Sequence, residues 1–333
     1  MSQSVLVTGG AGYIGSHACK ALVQAGYVPV TYDNLSRGHR HAVRWGPLIE
    51  GEIANRTAVV AALKAHDISA VMHFAAFAYV GESGTDPALY YRNNVIGTLT
   101  LLDAMRETGV DRIVFSSTCA TYGLPDAVPI AETTPQRPVN AYGETKLAIE
   151  RALYWYGLAY GLRSVALRYF NAAGCDRGGE IGEEHDPETH LIPLVLRAAL
   201  GSAPPVSIFG TDYATPDGTA IRDYIHVEDL ASAHVRALEH LVNGGSNAAV
   251  NLATGRGYSV REIIAAVTRA VGHEVPYREA PRRPGDPPAL IADPVLAHSV
   301  LGWRAECSDL DTIISTALAW EKRHHNTPTN SGN

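Results

Sequence analysis

The chain has 333 residues, 46% of them apolar and 18% charged, a globular balance long enough for one large domain plus a smaller one. Its net charge of −7 excludes the basic face that nucleic acid or an acidic membrane requires. No apolar run approaches the ~18 residues of a membrane helix, nothing resembles a signal peptide, and four scattered cysteines without C-x-x-C read as reduced thiols, so a cytoplasmic location is expected.

The first element is an apolar strand, Val5-Leu6-Val7-Thr8, that runs into Gly9-Gly10-Ala11-Gly12-Tyr13-Ile14-Gly15 and then a helical pattern from Ile14 to Ala25. Strand, glycine-spaced turn and helix together form a cradle for a dinucleotide pyrophosphate. One glycine makes the turn, one admits the phosphates and one lets helix and strand pack, while the helix N-terminus supplies N–H groups and a favourable dipole. A second strand, Val28 to Tyr32, ends at Asp33, close to the ~20-residue spacing expected of an acid on the adenosine ribose hydroxyls. That carboxylate repels a 2′-phosphate and favours NAD over NADP, although Arg37 stands nearby.

Further along, Leu48–Ile53 reads as a third strand, Thr57–His66 as a short helix and Ala70–Ala76 as a buried strand. Asp86–Thr108 reads as a long helix, Asp111–Ser117 as the fifth strand, Ala141–Tyr160 as a helix and Ser164–Phe170 as the sixth strand. Strands alternating with helices predict a Rossmann-type doubly wound parallel sheet covered on both faces. From Asn171 glycine and proline become frequent and the alternation breaks. The expected organisation is a dinucleotide-binding domain over 1–170 and a smaller α/β substrate domain over 171–323, with part of 224–252 returning to the first sheet and a disordered polar tail over 324–333. The 14 histidines include no H-E-x-x-H and no Cys/His cluster; the His39/His41 and His324/His325 pairs read as solvated, and no metal is expected.

Tyr142 and Lys146 lie four apart in the predicted helix, hence on one face and one turn apart. A cation there is expected to bring the phenol pKa from ~10 toward neutrality, which makes a usable acid/base for an alcohol proton. Ser116-Ser117-Thr118 ends the fifth strand at the sheet edge where such folds hold ligands.

Together these motifs resemble the extended short-chain dehydrogenase/reductase superfamily. Within it, Tyr32-Asp33-Asn34-Leu35, His73-Phe74-Ala75-Ala76, Val80-Gly81-Glu82-Ser83, Tyr90-Tyr91-Arg92-Asn93-Asn94, Leu167-Arg168-Tyr169-Phe170-Asn171, Arg222-Asp223-Tyr224-Ile225-His226-Val227 and Ala280-Pro281-Arg282-Arg283-Pro284-Gly285-Asp286 resemble the UDP-glucose 4-epimerase family over nearly the whole chain. The resemblance implies that Tyr142 takes the proton of the sugar 4′-hydroxyl while bound NAD accepts the C4′ hydride and returns it to the opposite face. It gives Lys146 the nicotinamide ribose and makes Thr118 a bridge to the 4′-oxygen. It also implies Gly9, Gly12, Tyr13 and Ile14 at the pyrophosphate, Asp33 and Asn34 at the ribose, Glu52 and Ile53 at adenine, and Phe74, Ala75, Ala76, Asn93 and Tyr169 along the rest of the cofactor. For the UDP-sugar it implies Asn171, Leu191, Ser207, Phe209, Arg222, Tyr224, Arg283 and Asp286, with guanidinium forks suited to a diphosphate. A homodimer built on the helices at 86–108 and 141–160 is implied as well.

Departures from the family pattern are Glu52 for a common Asp, Ala78 for a lysine, His190 for an Asn at the substrate phosphates, and Leu290 where some members carry a tyrosine that restricts them to unsubstituted hexoses. Leu290 therefore leaves room for an N-acetyl group and keeps UDP-GlcNAc/UDP-GalNAc interconversion open beside UDP-galactose/UDP-glucose, while UDP-xylose/UDP-arabinose stays open as the same chemistry on a smaller sugar. A dehydratase or decarboxylase is disfavoured because Cys119-Ala120 supplies no carboxylate beside Thr118. A non-catalytic NAD-binding protein is disfavoured by the intact Thr118, Tyr142 and Lys146.

Overall fold

The computed structural model describes residues 3–283 and 285–325. Strand β1 (Ser4–Thr8) leads through the glycine turn to α1 (Tyr13–Gln24), followed by β2 (Val28–Asp33), β3 (Leu48–Glu50), α2 (Arg56–Ala65) and β4 (Ile68–His73). Strand β3 is shorter than its apolar run predicts. The amide of Gly51 already bonds to Asp33 O (3.0 Å), and a Cβ on Gly51 would meet the Tyr32 hydroxyl at 2.5 Å, so the chain turns away and sends Ile53 into the core.

The helix expected over 86–108 is preceded by α3 (Val80–Thr85) and divided into α4 (Pro87–Tyr90), a wide π-turn (Tyr91–Ile96) and α5 (Gly97–Thr108). Asp86 caps α4 by accepting the Leu89 amide at 3.1 Å, and Pro87 is preorganised for the first turn. The π-turn contains buried Asn94, whose amide side chain holds the loop after β4. Its Oδ1 accepts Phe77 N–H at 2.9 Å, and its Nδ2 donates to Phe77 O at 3.0 Å.

Strand β5 (Arg112–Thr118), α6 (Ala141–Tyr160) and β6 (Arg163–Tyr169) follow, then β7 (Asn171–Ala173), α7 (Leu191–Ala199), β8 (Val206–Phe209), β9 (Ile221–His226), α8 (Val227–Val242) and β10 (Ala248–Leu252). The chain ends with β11 (Gly257–Ser259), α9 (Val260–Val271), β12 (Tyr277–Ala280), β13 (Ala289–Leu290), α10 (Val295–Leu301) and α11 (Leu310–His325). Helix α11 carries the backbone through His324 and His325, two residues into the stretch expected as tail; the side chains of that pair and the disorder expected over 326–333 lie outside the described residues.

Seven parallel strands form the main sheet in the order β10-β6-β5-β4-β1-β2-β3, which is the doubly wound arrangement. Its strand order reverses between β1 and β4. One face is covered by α1, α8 and α10 through Val5, Leu22, Leu230, Leu238 and Trp303, the other by α2, α5 and α6 through Leu6, Leu63, Leu101, Ile113 and Leu153. Tyr224–His226 pair with β7 in a small sheet beside β11 and β13, and β10 joins the large sheet beside β6. A separate core of α7, α9 and α11, with Ile192, Val195, Ile263, Val267 and Ile313, underlies the C-terminal strands. Among the described residues, no helix is long and apolar enough to cross a membrane.

Candidate active site

The glycines of the first turn divide their work as the spacing suggests. Gly9 has φ +74°, and a Cβ there would stand 2.6 Å from Ala75 N; a Cβ on Gly15 would stand 2.2 Å from Gly9 O. Both are needed to pack β1, β4 and α1 together. A Cβ on Gly12 would approach only Gly9 O, at 3.3 Å, so its bare backbone faces outward at the start of α1. No side chain caps that helix and no acid lies in its first turn, which leaves its N–H groups and dipole to an anion.

Asp33 stands beside this turn. Its Oδ2 accepts Ala11 N–H at 3.0 Å and its Oδ1 accepts Leu35 N–H at 2.8 Å; burial raises its pKa against these bonds. Asn34 Nδ2 donates to both Glu52 carboxylate oxygens at 3.1 Å, so the longer acid reaches back to the asparagine. Arg37 is held by Glu82 at 2.7 Å and lies over the Phe77 and Tyr79 rings. Uncapped helix, open glycine and buried carboxylate fit a dinucleotide whose ribose is unphosphorylated.

Past the turn, Phe74 N and Ala75 N both donate to Thr8 O, at 2.9 and 3.0 Å, which sets Phe74, Ala75 and Ala76 along the C-terminal ends of β1 and β4. Asn93 Nδ2 donates to Asn94 Oδ1 at 2.9 Å on the neighbouring π-turn. Tyr169, at the end of β6, shares a short hydrogen bond with Ser116 Oγ.

Thr118, Tyr142 and Lys146 meet at this edge. Asn140 caps α6 by accepting Gly143 N–H at 2.8 Å, which fixes the first turn that carries Tyr142. The Thr118 hydroxyl lies against the half-buried Tyr142 phenol and stabilises its anion. Lys146 is 3% exposed; its Nζ donates to Ser116 O at 2.8 Å and lies 5.9 Å from the centre of the Tyr142 ring.

One electrostatic expectation is overturned. Lys146 was expected to bring the phenol toward neutrality, but enclosure pushes the Tyr142 pKa well above the ordinary phenol value, and nearby Tyr169 adds to the rise. Burial also lowers Lys146 to about 7, despite Glu150, so at neutral pH it supplies only part of a charge. Burying the ammonium costs free energy at all pH values below about 7, and the cost fades as pH rises toward 10.5, the ordinary lysine value. Lys146→Met in cofactor-free protein should therefore raise the thermal midpoint most below pH 7, with the gain vanishing by about pH 10; a gain independent of pH between 6 and 10 would contradict this.

Behind these residues lies a network that sequence reasoning missed. Glu150 follows Lys146 by one helical turn. Its carboxylate takes Arg168 Nε at 3.0 Å, Arg168 Nη2 at 2.6 Å and the Ser117 hydroxyl at 2.5 Å. Arg168 also donates to the Tyr122 hydroxyl at 2.9 Å, which donates to Asn251 Oδ1 at 2.7 Å. The i,i+4 spacing from Lys146 was the available signal.

The residues expected at a nucleotide-sugar form a second lip. Arg222 Nη1 donates to Pro287 O at 3.0 Å and Nη2 to Asp286 Oδ1 at 3.3 Å; Asp286 N–H donates to Arg283 O, and the Arg283 guanidinium stacks 4.1 Å from the Phe209 ring centre. Ser207 Oγ, two residues back on β8, accepts from Arg278 Nε at 3.0 Å. Asn171 Nδ2 donates to Asp223 O at 3.2 Å, and Tyr224 is buried, its phenol pushed up to about 12. Leu290 pairs with Arg222 in the small sheet and packs against the buried cluster of Tyr122, Ile130, Phe170, Ala253 and Ala292, which Cys119 also joins. Leu191 begins α7, but the preceding His190 turns its Nδ1 to Glu188 at 2.9 Å.

A parallel sheet with its glycine turn at the strand-order reversal, and a Thr–Tyr–Lys constellation across the same edge, define a dinucleotide-binding α/β enzyme class. Residues 5–253 match the model of the NAD dependent epimerase/dehydratase family. A UDP-glucose 4-epimerase of Rhizobium meliloti is 53% identical over 324 residues, covering 97% of this chain and 98% of its own. The crystal structure of UDP-glucose 4-epimerase from Brucella ovis in complex with NAD has a TM-score of 0.94 and 57% identity, over 96% of this chain and 98% of that one. The UDP-Glc/GlcNAc 4-epimerase of Campylobacter jejuni has a TM-score of 0.85 and 37% identity, over 97% and 100%. The chain belongs to the NAD dependent epimerase/dehydratase family.

Proposed function

We propose that the protein is a UDP-glucose 4-epimerase, an isomerase that interconverts UDP-galactose and UDP-glucose in nucleotide-sugar supply and galactose metabolism. The observation that carries this reading is the meeting of Thr118 and Tyr142 at the β5 edge, with Lys146 beneath them. Gly9, Gly12, Tyr13 and Ile14 hold the NAD pyrophosphate. Asp33 and Asn34 hold the adenosine ribose, with Glu52 and Ile53 at adenine. Phe74, Ala75, Ala76, Asn93 and Tyr169 line the remainder, and Lys146 binds the nicotinamide ribose. When bound, NAD supplies a hydride acceptor that returns what it takes, so the net reaction is an isomerisation.

Tyr142 moves the proton of the 4′-hydroxyl, and Thr118 orients phenol and sugar oxygen through its hydroxyl. Arg222 and Arg283 bind the diphosphate, Asp286 takes the uridine ribose hydroxyls, and Asn171, Leu191, Ser207, Phe209 and Tyr224 enclose the rest. Incubation with UDP-galactose and no added nicotinamide cofactor should yield UDP-glucose. No turnover by protein shown to carry bound NAD would refute the assignment.

Leu290 supports a broader pocket that also admits N-acetylated sugars, because a half-buried aliphatic side chain, in the apolar cluster that Cys119 also joins, stands where a tyrosine restricts some members. Leu290→Tyr is expected to suppress UDP-GlcNAc turnover about tenfold or more while sparing UDP-galactose; equal loss on both would remove Leu290 as a size filter.

The proposed homodimer rests on α6. Tyr154, Trp155 and Leu158 are 60–65% exposed there on one side of the helix, an apolar face unlike an ordinary solvated helix. Leu158→Glu should shift the protein to monomer on gel filtration. An unchanged elution volume would place the interface elsewhere. A cytoplasmic location fits the four free cysteines.

A further inference from the structure

Four side chains converge on the segment between β7 and α7, with the spacing Glu183-x-His185-x-x-Glu188-x-His190. His190 Nδ1 lies 2.9 Å from Glu183 Oε1 and 2.9 Å from Glu188 Oε1. His185 Nδ1 lies 3.3 Å from Glu183 Oε1 and 3.5 Å from Glu188 Oε2. Ligand atoms from all four fall within 4.8 Å of one another. Four ligands at ~2.1 Å around a tetrahedral ion stand about 3.4 Å apart, and the four imidazole–carboxylate separations here run from 2.9 to 3.5 Å.

A second observation concerns hydrogen bonding. Glu183 Oε1, His185 Nδ1 and Glu188 Oε2 are buried without a hydrogen bond, although they lie at ion-pair distances. Glu183 is 4% exposed. Only His190 Nδ1 and Glu188 Oε1 meet with hydrogen-bond geometry. An ion at their centre would meet these three buried atoms and His190 Nδ1 together. Glu188 is held in place from outside the cluster: its Oε1 accepts Thr189 N–H at 2.7 Å and His190 N–H at 2.8 Å, and Oε2, with Arg197 at 3.9 Å, lies 3.5 Å from His185 Nδ1.

We propose that Glu183, His185, Glu188 and His190 bind one divalent transition-metal ion of the zinc type. Two imidazole nitrogens and two carboxylate oxygens suit such an ion better than Mg²⁺ or Ca²⁺, which take oxygen ligands. The ion is structural. The His185 ring stands edge-on to Tyr13 at 6.0 Å, and the Tyr13 hydroxyl donates to Gly174 O at 2.5 Å, so a metal at this point fastens the segment after β7 against the glycine turn. The site does not depend on which sugar the enzyme takes.

Two other groups of ligand types occur among the described residues, His39/His41/Glu184 and His226/Glu228/Cys307. In the second, His226 Nδ1 already accepts Glu228 N–H at 3.1 Å and Glu228 is bonded to Arg177.

The test uses full-length protein stripped by a chelator and dialysed against Co²⁺. About one cobalt per chain is expected by elemental analysis, with visible ligand-field absorption, no thiolate charge-transfer band, and a higher thermal midpoint when Zn²⁺ replaces cobalt. Glu183→Gln and His185→Gln should each lose the bound cobalt, while His41→Gln and Cys307→Ser retain it. Absence of stoichiometric cobalt would leave an ion-paired quartet and overturn the proposal. So would a thiolate band in the parent protein, which needs no variant to be read, or full retention in both Glu183→Gln and His185→Gln.

Discussion

Tyr142→Phe should lower kcat on UDP-galactose by about 10²–10⁴-fold while leaving UDP affinity close to that of the parent. The substitution removes one oxygen and keeps the ring, so the packing of α6 against the β5 edge survives. What is lost is the group that exchanges a proton with the sugar oxygen, at the point where the Thr118 hydroxyl stabilises the phenolate. Lys146 cannot replace it, because its Nζ is turned to Ser116 O at 2.8 Å. Steady-state kinetics together with calorimetric titration of UDP separates the two effects. A fall in UDP affinity as large as the fall in kcat would make Tyr142 a binding residue instead.

The second large effect is on stability. Arg168 and Glu150 have side chains only 7% and 8% exposed, joined at 2.6 Å, with Ser117, Gln136 and Tyr122 bonded to the same pair. Removing one partner leaves an uncompensated buried charge, a loss of about 3–5 kcal/mol, whereas replacing both with apolar groups removes the desolvation cost as well. Arg168→Met is therefore expected to lose about 3–5 kcal/mol in urea unfolding, and Glu150→Met combined with Arg168→Met to lose clearly less than the sum of the two single changes. Strict additivity would show that the pair is not coupled. The network also backs Ser117 and lies one turn from Lys146, so the single variants should lose activity as well.

Much of this architecture was legible because it is written in local patterns. The glycine spacing, the apolar strands and Asp33 at the end of β2 need no distant contact to be read, and they place the cofactor edge. The limits were set by tertiary effects. Strand β3 stops at Glu50 because Gly51 passes the Tyr32 hydroxyl, and the helix over 86–108 widens where Asn94 turns inward to Phe77. The one-face spacing of Tyr142 and Lys146 was correct, but spacing carries no information about desolvation, which moves both groups toward their neutral forms. The Glu183–His190 cluster was present in the sequence as alternating acids and imidazoles. It fell in an irregular segment with no periodicity to set its side chains on one face, and only the fold brings them to a common centre.

The central claim is that hydrogen leaves and returns to C4 of the sugar within one active site while Tyr142 handles only the hydroxyl proton. The most direct measurement is conversion of UDP-galactose carrying deuterium at C4, in ordinary water, followed by NMR of the UDP-glucose formed. Deuterium retained at C4 of the product is the result expected. Its replacement by solvent hydrogen would mean that the C–H bond is exchanged as a proton, and would contradict the account.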